Sequence, residues 1–254
     1  MIKSSILTSA FALALCGLAW AQSAAPAENL RIEYEGYFNL RFDGGRNIVK
    51  YKGFLQSRGA LSRFYMLAVN DFNADALNTQ EHYDTLFQVY KDFDRGKLCF
   101  QERAFSKKAI YYSDSLHPMQ WQLTGRQKWI DSIRCYSAET VFRKRHYTAW
   151  YAPSIALSNG PWKMGGLPGL IVELYDESKD LYLLLRQLQP GSDRIKINQS
   201  VWSRAMSYPT YLADGRKFRR KMIEAVRSAA STADCITCTE ESEVQVNTWE
   251  KIFN

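Results

Sequence analysis

Residues 159–176 read NGPWKMGGLPGLIVELYD, and the middle of this stretch concentrates residues that control the backbone. Leu167-Pro168-Gly169-Leu170 has the composition of a type II β-turn, because proline presets φ at the second position and glycine accepts the positive φ required at the third. An apolar run follows immediately. The stretch therefore predicts a rigid corner that leads into a central strand over 170–175. The structural motif comprises Gly165, Gly166, Leu167, Pro168, Gly169, Leu170 and Ile171.

The residues just before the corner leave two interpretations open. Gly165 and Gly166 either bend the chain or let another backbone approach closely. We expect Trp162 and Met164 to pack over the corner and the Lys163 side chain to be solvated. A glycine-rich turn also presents backbone N–H groups that suit an anion, which is the alternative to a packed structural corner.

Alternation of apolar and polar residues with a period of two dominates the rest of the chain. In LRIEYEGYFNL (30–40), apolar residues or glycine occupy every second position, which is typical of a half-buried antiparallel strand. The polar sequence DESKD suits a hairpin turn, and FDGGRN, DFDRG and YSDS are further turn clusters. We therefore predict a mainly β fold, either a single curved antiparallel sheet or an open half-barrel. Strand-like runs occur at 64–69, 86–90, 97–102, 109–113, 119–123, 135–142, 146–151, 170–175 and 181–188.

One amphipathic helix is predicted near the C-terminus, over 215–231. Apolar residues recur there at helical spacing, arginines lie on the opposite face, and Asp214 is a suitable N-cap. We expect the apolar stripe of this helix to pack on the sheet.

The first 21 residues have the features of a secretory signal peptide. Lys3 precedes the apolar stretch ILTSAFALALCGLAW, and Ala19-Trp20-Ala21 offers small residues at the positions that a signal peptidase prefers. We expect cleavage near Ala21 and export to the periplasm or cell envelope. The remaining 22–254 is expected to form a single β-rich domain, with no integral membrane segment after the signal is removed.

The formal net charge of +7 is concentrated in RKRH (143–146) and RKFRRK (216–221). A solvated face, or attraction to an anionic membrane surface, accounts for such patches. We expect no nucleic-acid partner, because the chain is predicted to be exported and carries no recognisable nucleic-acid-binding motif.

Four cysteines remain after the predicted signal peptide, namely Cys99, Cys135, Cys235 and Cys238. An even number in an oxidising compartment favours two disulfides, and three connectivities are open. We predict that Cys99 pairs with Cys135, because strands separated by 35 residues can be neighbours in a meander. Cys235 and Cys238 form the sequence CITC and are predicted to pair with each other.

GGLPGLI at 165–171 resembles the motif that names the GLPGLI family of exported Bacteroidetes proteins. The resemblance extends upstream through HYTAWYAPSIALSNGPWKM and RCYSAETVF, and it is close from about Trp129 to Asp176. It implies a signal peptide, an envelope location and no established biochemical activity. It supplies no catalytic residue for this chain, and CITC lies outside the matched block.

The sequence favours binding over catalysis. It contains no nucleophile elbow, HExxH zinc motif or phosphate-binding glycine loop, so we expect no enzyme activity, catalytic residue or cofactor. Aromatic residues on a curved sheet either fill a β core or line a cavity for an acyl chain or peptide. The favoured function is therefore binding of a hydrophobic ligand or envelope partner. Candidate residues of that surface are Trp150, Trp162, Lys163, Arg143, Lys144 and Arg145.

A second functional hypothesis concerns the CITC pair. Cys235 and Cys238 offer two thiols that suit disulfide exchange or a soft metal ion, which would make this a thiol-dependent redox or metal-handling protein. Acidic neighbours such as Glu240 and Glu241 raise thiol pKa values and oppose that reactivity. A structural disulfide, without any metal, is the simpler interpretation.

Overall fold

Alternating apolar residues produce a single large sheet in the computed structural model of the chain. The model describes residues 29–42, 45–68, 87–102, 109–116, 119–191, 200–215, 217 and 220. Twelve strands form one open, predominantly antiparallel sheet that does not close into a barrel. The predicted mainly β fold is confirmed. The strands in chain order are β1 (Leu30–Phe42), β2 (Gly45–Arg58), β3 (Leu61–Ala68), β4 (Phe87–Asp92), β5 (Lys97–Glu102), β6 (Ile110–Ser115), β7 (Gln122–Ile130), β8 (Ile133–Phe142), β9 (Arg145–Ala152), β10 (Leu170–Asp176), β11 (Leu181–Pro190) and β12 (Met206–Ser207).

The sheet consists of two antiparallel meanders joined by one long-range pairing. Its spatial order is β12-β6-β5-β4-β3-β2-β1-β11-β10-β9-β8-β7. Strand β1 pairs with β2 on one side and with β11 on the other, so the first strand lies at the centre of the sheet. At Gly36, strand β11 approaches so closely that an added Cβ would lie 1.9 Å from the Tyr182 carbonyl oxygen. The glycine at this alternating position is therefore required by strand pairing.

The loop between β9 and β10, residues 153–169, crosses the inner face of the sheet, and we call it the crossing loop. Its Trp162 ring lies 5.9 Å from the ring of Tyr147 on β9, whereas Lys163 Nζ lies 5.0 Å from the ring of Phe100 on β5. Strands β9 and β5 are separated by six strands in the sheet order. Strands from both halves of the sheet contact neighbouring residues of this loop, so the sheet must be strongly curved around it.

The crossing loop completes the hydrophobic core. Trp162, Met164 and Leu167 are at most 1% exposed and pack in one cluster with the inward-facing residues of the strands. Tyr34 on the central strand donates a hydrogen bond from its hydroxyl to the Ile171 carbonyl oxygen at 2.8 Å. Burial of this much apolar and aromatic surface is the main source of stability. The expected packing of Trp162 and Met164 over the corner agrees with this core.

Several strand boundaries differ from the sequence predictions. YSDS, interpreted as a turn, lies within β6, where Tyr112 faces inward and its ring stacks 5.0 Å from that of Phe100. The run at 119–123 is mostly loop, and strand β7 begins only at Gln122. Strand β2 was not predicted, because its apolar positions alternate with lysines and glycine in a less regular pattern.

Two short helical segments follow the sheet. Helix α1 (Ser200–Arg204) packs Val201 against Tyr90 and Cys99 on the outer face of the sheet, which is the face opposite the crossing loop. A second segment over 208–215 is helical, so the C-terminal helix begins before 215 and Asp214 lies within it rather than at its N-cap. The predicted helix at 215–231 otherwise falls almost entirely outside the described residues. Among the residues with a described structure, no helix combines the length and apolar character of a membrane span.

The predicted Cys99–Cys135 disulfide is wrong. Both thiols are free and buried. Cys99 lies on β5 and Cys135 on β8, and seven strands separate them in the sheet order because β1 and β11 join the two meanders. Burial raises the pKa of Cys99 to about 12 and that of Cys135 to about 11, so neither thiol is activated. Cys235, Cys238 and the signal sequence lie outside the described residues.

A candidate ligand-binding cleft beside the crossing loop

The corner at Leu167–Leu170 is tighter than the predicted type II β-turn. The Gly169 N–H donates to the Leu167 carbonyl oxygen at 2.8 Å, a hydrogen bond that spans three residues and defines a γ-turn. The Leu170 N–H, which would have closed the β-turn, donates instead to the Ile155 carbonyl oxygen at 3.2 Å. The corner is therefore tied to the start of its own loop.

Gly169 is irreplaceable for two separate reasons. Its φ of +147° lies in a region that side-chain-bearing residues rarely adopt. A Cβ at this position would also lie 2.2 Å from the Ala152 carbonyl oxygen. Gly166 likewise has a positive φ of +87°, but nothing lies within 4 Å of the position of its absent Cβ. Only Gly169 is required by close packing as well as by backbone conformation.

The opposite part of the crossing loop is fixed to the sheet by one buried lysine. Lys91 projects from the inner face of β4 and is 1% exposed. Its Nζ donates three hydrogen bonds, to Asn159 Oδ1 at 2.9 Å, to the Gly160 carbonyl oxygen at 3.0 Å and to the Met164 carbonyl oxygen at 2.6 Å. Burial lowers the pKa of Lys91 to about 7, while the three acceptors favour its charged form. No carboxylate pairs with this amine in the described parts of the chain.

Lys163 is also buried, which corrects the expectation that it is solvated. It is 3% exposed, and its Nζ donates to the Tyr112 hydroxyl oxygen at 3.2 Å. The ammonium lies 5.0 Å from the centre of the Phe100 ring and 5.3 Å from that of Trp162. Cation–π attraction is strongest in such a desolvated position. The crossing loop is thus held to β4, β5 and β6 by two lysines.

A cleft of about 550 Å³ opens where the crossing loop meets the ends of β2 to β6. The turns between β2 and β3 and between β4 and β5 form one rim, and the glycine pair of the crossing loop forms the other. Apolar side chains from separate segments make up most of the wall, and the two buried lysines border it. The lining residues are Ser57, Gly59, Ala60, Lys91, Phe93, Asp94, Leu116, Met119, Leu157, Ser158, Asn159, Lys163, Met164, Gly165 and Gly166.

Buried polar atoms near Lys91 have hydrogen-bonding capacity that the protein does not use. Ser57, Ser62 and Lys91 are cross-strand neighbours on β2, β3 and β4, so they share the inner face. Within the described structure, Ser57 Oγ, Ser62 Oγ and Asn159 Nδ2 have no hydrogen-bond partner. Such groups are costly when buried, and they are exceptional in folded proteins. They mark this end of the inner face as unusually polar.

The remaining predicted surface residues do not gather at the cleft. Trp150 is 7% exposed and lies on the outer face of β9, with Lys128 Nζ 4.3 Å from its ring centre. Arg143 forms an ion pair with Asp114, and its guanidinium lies 3.6 Å from the centre of the Tyr208 ring. Arg145 pairs with Asp176 at 3.2 Å. Lys144, at a turn with positive φ, is exposed.

Sequence reasoning missed Lys91 and Asn159, which organise this region. Lys91 occupies a position on β4 where alternation calls for an inward-facing residue, between apolar Val89 and the turn at 93–96. A lysine at an inward position is a signal of a buried polar contact, because it is almost never fully buried unless paired. Its partner lies 68 residues away, so the sequence offered no way to identify Asn159.

A family model described as "Protein of unknown function (Porph_ging)" matches residues 108–173. The matched stretch extends from strand β6 through the crossing loop into β10, so it contains Lys163 and the glycine corner but not Lys91. This agrees with the predicted resemblance at the level of a family of unknown function. The Gly-Leu-Pro-Gly motif is not itself identified by the match. No curated protein shows detectable sequence similarity to the chain.

The chain resembles several solved structures at low sequence identity. PNGF-II shares 14% identity with a TM-score of 0.48, and the alignment covers 74% of this chain but 33% of PNGF-II. A DUF1329 family protein from Desulfovibrio piger shares 8% identity with a TM-score of 0.26, covering 69% of this chain and 89% of that protein. A LolA superfamily protein from Nitrosomonas europaea shares 13% identity with a TM-score of 0.28, covering 68% and 90%. The chain thus spans about one third of the length of PNGF-II.

The described residues contain no group of three or more His, Cys, Asp or Glu side chains arranged to hold a metal ion. Cys235 and Cys238, the proposed soft-metal ligands, lie outside those residues. The redox and metal hypothesis therefore stays a prediction.

Proposed function

We propose that this protein binds a hydrophobic ligand in the cleft beside the crossing loop, without chemical turnover. The observation that carries the proposal is the convergence of apolar side chains from three separate segments on one cleft. Its volume of about 550 Å³ falls in the range of about 300–1,000 Å³ that is usual for ligand sites. The apolar wall residues are Phe93, Leu116, Met119, Leu157 and Met164.

The surroundings of the cleft suit a site that keeps its shape. The crossing loop is fixed on one side by the three hydrogen bonds of Lys91 and on the other by the γ-turn at Gly169. A wall held in this way loses little conformational entropy when a ligand binds, which favours affinity. The cleft is therefore suited to a ligand that enters an already formed site.

We propose that the protein is exported to the cell envelope, as the GLPGLI family resemblance implies. The support is the signal-like sequence ending near Ala21 together with GGLPGLI at 165–171. An exported carrier of a hydrophobic molecule would need an apolar binding surface, and the wall of the cleft offers one. An envelope protein is a second candidate occupant, and it would be distinguished by the mass of what co-purifies.

Binding of the neutral fluorophore N-phenyl-1-naphthylamine tests the proposal. Phe93 lines the cleft, is 38% exposed and sits in a turn, so Phe93→Glu should weaken probe binding about tenfold while leaving the core intact. Leu123→Glu is the matched control, because Leu123 is 62% exposed and lies away from the cleft on β7. The control should bind like the wild type.

Equal loss of binding in both variants would show that the probe binds elsewhere. Absence of any probe binding by the wild-type protein would reject the proposed function. Native mass spectrometry of protein purified from the envelope fraction identifies any co-purified species. We expect a small amphiphile, whereas a co-purified polypeptide would favour the envelope-partner alternative.

A further inference from the structure

The residues at the polar end of the cleft, Ser57, Lys91 and Asn159, indicate which head group the ligand has, whereas the apolar walls indicate only that it is hydrophobic. Ser57, Lys91 and Asn159 all line the cleft, and each is only 1% exposed. Asn159 uses its Oδ1 twice, accepting from Lys91 Nζ and from the Gly160 N–H at 2.9 Å each. Among the residues that the structure describes, by contrast, its Nδ2 has no acceptor and the Ser57 hydroxyl has no hydrogen-bond partner. Two residues that line the cleft therefore each carry a buried hydrogen-bond donor whose capacity is unused within the described structure.

The charge at this end of the cleft is positive. Within the described parts of the chain, Lys91 Nζ donates to carbonyl and amide oxygens and to no carboxylate, so dipoles offset its charge there. Lys163 borders the same cleft. Asp94 is the acidic residue of the lining, and it lies exposed in the turn after β4. In a partly desolvated site, the charge of Lys91 acts over several ångströms.

We propose that the ligand of this cleft is an amphiphile with an oxyanion head, a carboxylate or a phosphate. The head accepts hydrogen bonds from Asn159 Nδ2 and Ser57 Oγ within the field of Lys91, and its chain lies along the apolar wall toward Phe93. An amide nitrogen donates only, and a hydroxyl donates to an anion, so both groups select an acceptor. Hydrogen bonds to an ionised acceptor are roughly twice as strong as neutral ones. This inference rests on the proposed hydrophobic binding.

Ligands that share one chain length and differ in the head group measure the contribution of the head to affinity separately from that of the chain. Calorimetry and displacement of N-phenyl-1-naphthylamine should give dodecanoate or dodecyl phosphate an affinity at least about tenfold higher than that of 1-dodecanol. Dodecyltrimethylammonium should bind more weakly than the alcohol. Whichever of the two anions binds more tightly identifies the head as carboxylate or phosphate.

Asn159→Asp is the decisive variant. It keeps an oxygen for Lys91 and for the Gly160 N–H, replaces the unused donor by a second oxygen and adds negative charge beside Lys91. We expect dodecanoate affinity to fall at least about tenfold while 1-dodecanol affinity changes less than about threefold. A purely structural role for Asn159 would instead weaken both ligands to the same extent.

Two buried serines provide a matched control. Ser57 and Ser62 are directly opposite each other on β2 and β3, and both hydroxyls have no partner within the described structure, but only Ser57 lines the cleft. Ser57→Ala should weaken dodecanoate binding about threefold or more, and Ser62→Ala should leave it unchanged.

The outcomes distinguish this inference from the function on which it rests. If 1-dodecanol binds as tightly as dodecanoate, the oxyanion head is rejected while hydrophobic binding stands. If Asn159→Asp and the wild type prefer dodecanoate equally, the assigned head position is wrong. If the wild type binds neither the fluorophore nor any of the four amphiphiles, both proposals are rejected.

Discussion

Two parts of the crossing loop are held by different physical means: the corner at Gly169, which we call the steric end, and residues 159–164, which we call the polar end. At Gly169 the chain is fixed by steric exclusion, since a positive φ and a carbonyl oxygen 2.2 Å from the Cβ position leave room for no side chain. Around Asn159 and Met164 the chain is fixed by a single ammonium group that donates to three oxygens. The first end borders the core, and the second borders the cleft.

The difference follows from what each end must do. A steric corner has one conformation and is independent of pH, salt and ligand. A lysine with three acceptors holds the backbone and at the same time places charge beside the cleft, so structure and binding share the same residue. Buried polar groups of this kind are costly for stability, and they are retained where they fix a specific arrangement. The comparison therefore predicts larger damage at the steric end and functional damage at the polar end.

Gly169→Val should have the largest effect on stability. A β-branched side chain would be strained at this φ and would collide with the Ala152 carbonyl group, so we expect a loss above about 4 kcal/mol or failure to fold. Gly166→Val is the matched control, because its φ is also positive but its Cβ position is open, and it should cost about 1–3 kcal/mol. Thermal and urea unfolding compare the two variants.

A Gly169→Val protein that unfolds together with the wild type would contradict the steric account of the corner. Equal, moderate destabilisation in the two glycine variants would show that φ alone matters and that the close approach to Ala152 relaxes.

Lys91→Met should be the next most damaging change. It leaves the Gly160 and Met164 carbonyl oxygens without their donor inside the protein, and each buried unsatisfied group costs about 1–3 kcal/mol. Loss of the desolvated charge offsets part of this, so we expect a net loss of about 2–4 kcal/mol. Urea unfolding measures it, with Lys144→Met as the control, since Lys144 is exposed. Unfolding free energies that match in the two variants would mean that the loop does not depend on Lys91.

Sequence reasoning succeeded at the steric end and failed at the polar end, and the reason is the range of the interactions. Proline and glycine act on their own backbone, so a corner before β10 was readable from residues 165–171 alone. The type of turn, a γ-turn and not a type II β-turn, could not be predicted from these residues, because the acceptor for the Leu170 N–H is the carbonyl oxygen of Ile155. Lys91 acts on residues 68 to 73 positions away, and no local pattern encodes that contact.

The range of the interactions also accounts for the outcome for the strands and the cysteines. Strands such as β1 and β5 were predicted because one face alternates cleanly, and β2 was missed where the alternation is interrupted. The pairing between β1 and β11 was not predicted, because the prediction assumed that strands consecutive in sequence are neighbours in the sheet. That single long-range pairing places Cys99 and Cys135 far apart and removes the predicted disulfide.

Lys163→Met tests the second buried lysine at the same part of the loop and should have a smaller effect. The substitution keeps the apolar stem and removes the ammonium from between the rings of Phe100 and Trp162. A desolvated cation–π contact contributes about 2 kcal/mol, so we expect a loss of about 1–2 kcal/mol by urea unfolding. A solvated lysine would give a change within about 0.5 kcal/mol, as expected from the sequence alone and as Lys144→Met should show. A loss of unfolding free energy within that range for Lys163→Met would show that the Lys163 side chain is solvated and not buried.

The pH dependence of stability separates burial from hydrogen bonding at Lys91, and its expected effect per pH unit is the smallest of the four. Burial lowers the pKa of Lys91 to about 7, whereas the unfolded chain keeps the ordinary value of 10.5. Between these values the unfolded state binds more protons, so the free energy of unfolding should rise with pH, by roughly 1 kcal/mol per unit between pH 8 and 9. Below pH 7 both states are protonated and the slope from this group vanishes.

The measurement is the free energy of unfolding from pH 6 to 9 for the wild type and for Lys91→Met. Lys163 and Asp94, the other charged residues of the cleft, are present in both proteins, so the comparison isolates Lys91. The buried thiols of Cys99 and Cys135, whose pKa values are raised, contribute the opposite slope from about pH 8 upward in both proteins, so the Lys91 contribution is taken from the difference between the two curves. A rise in the wild type that is absent from the variant means that burial dominates at the polar end. Parallel curves would mean that the three oxygens hold Lys91 fully charged. In that case the cleft would keep its positive charge throughout this pH range, and its selectivity for an anionic head would not weaken as the pH rises.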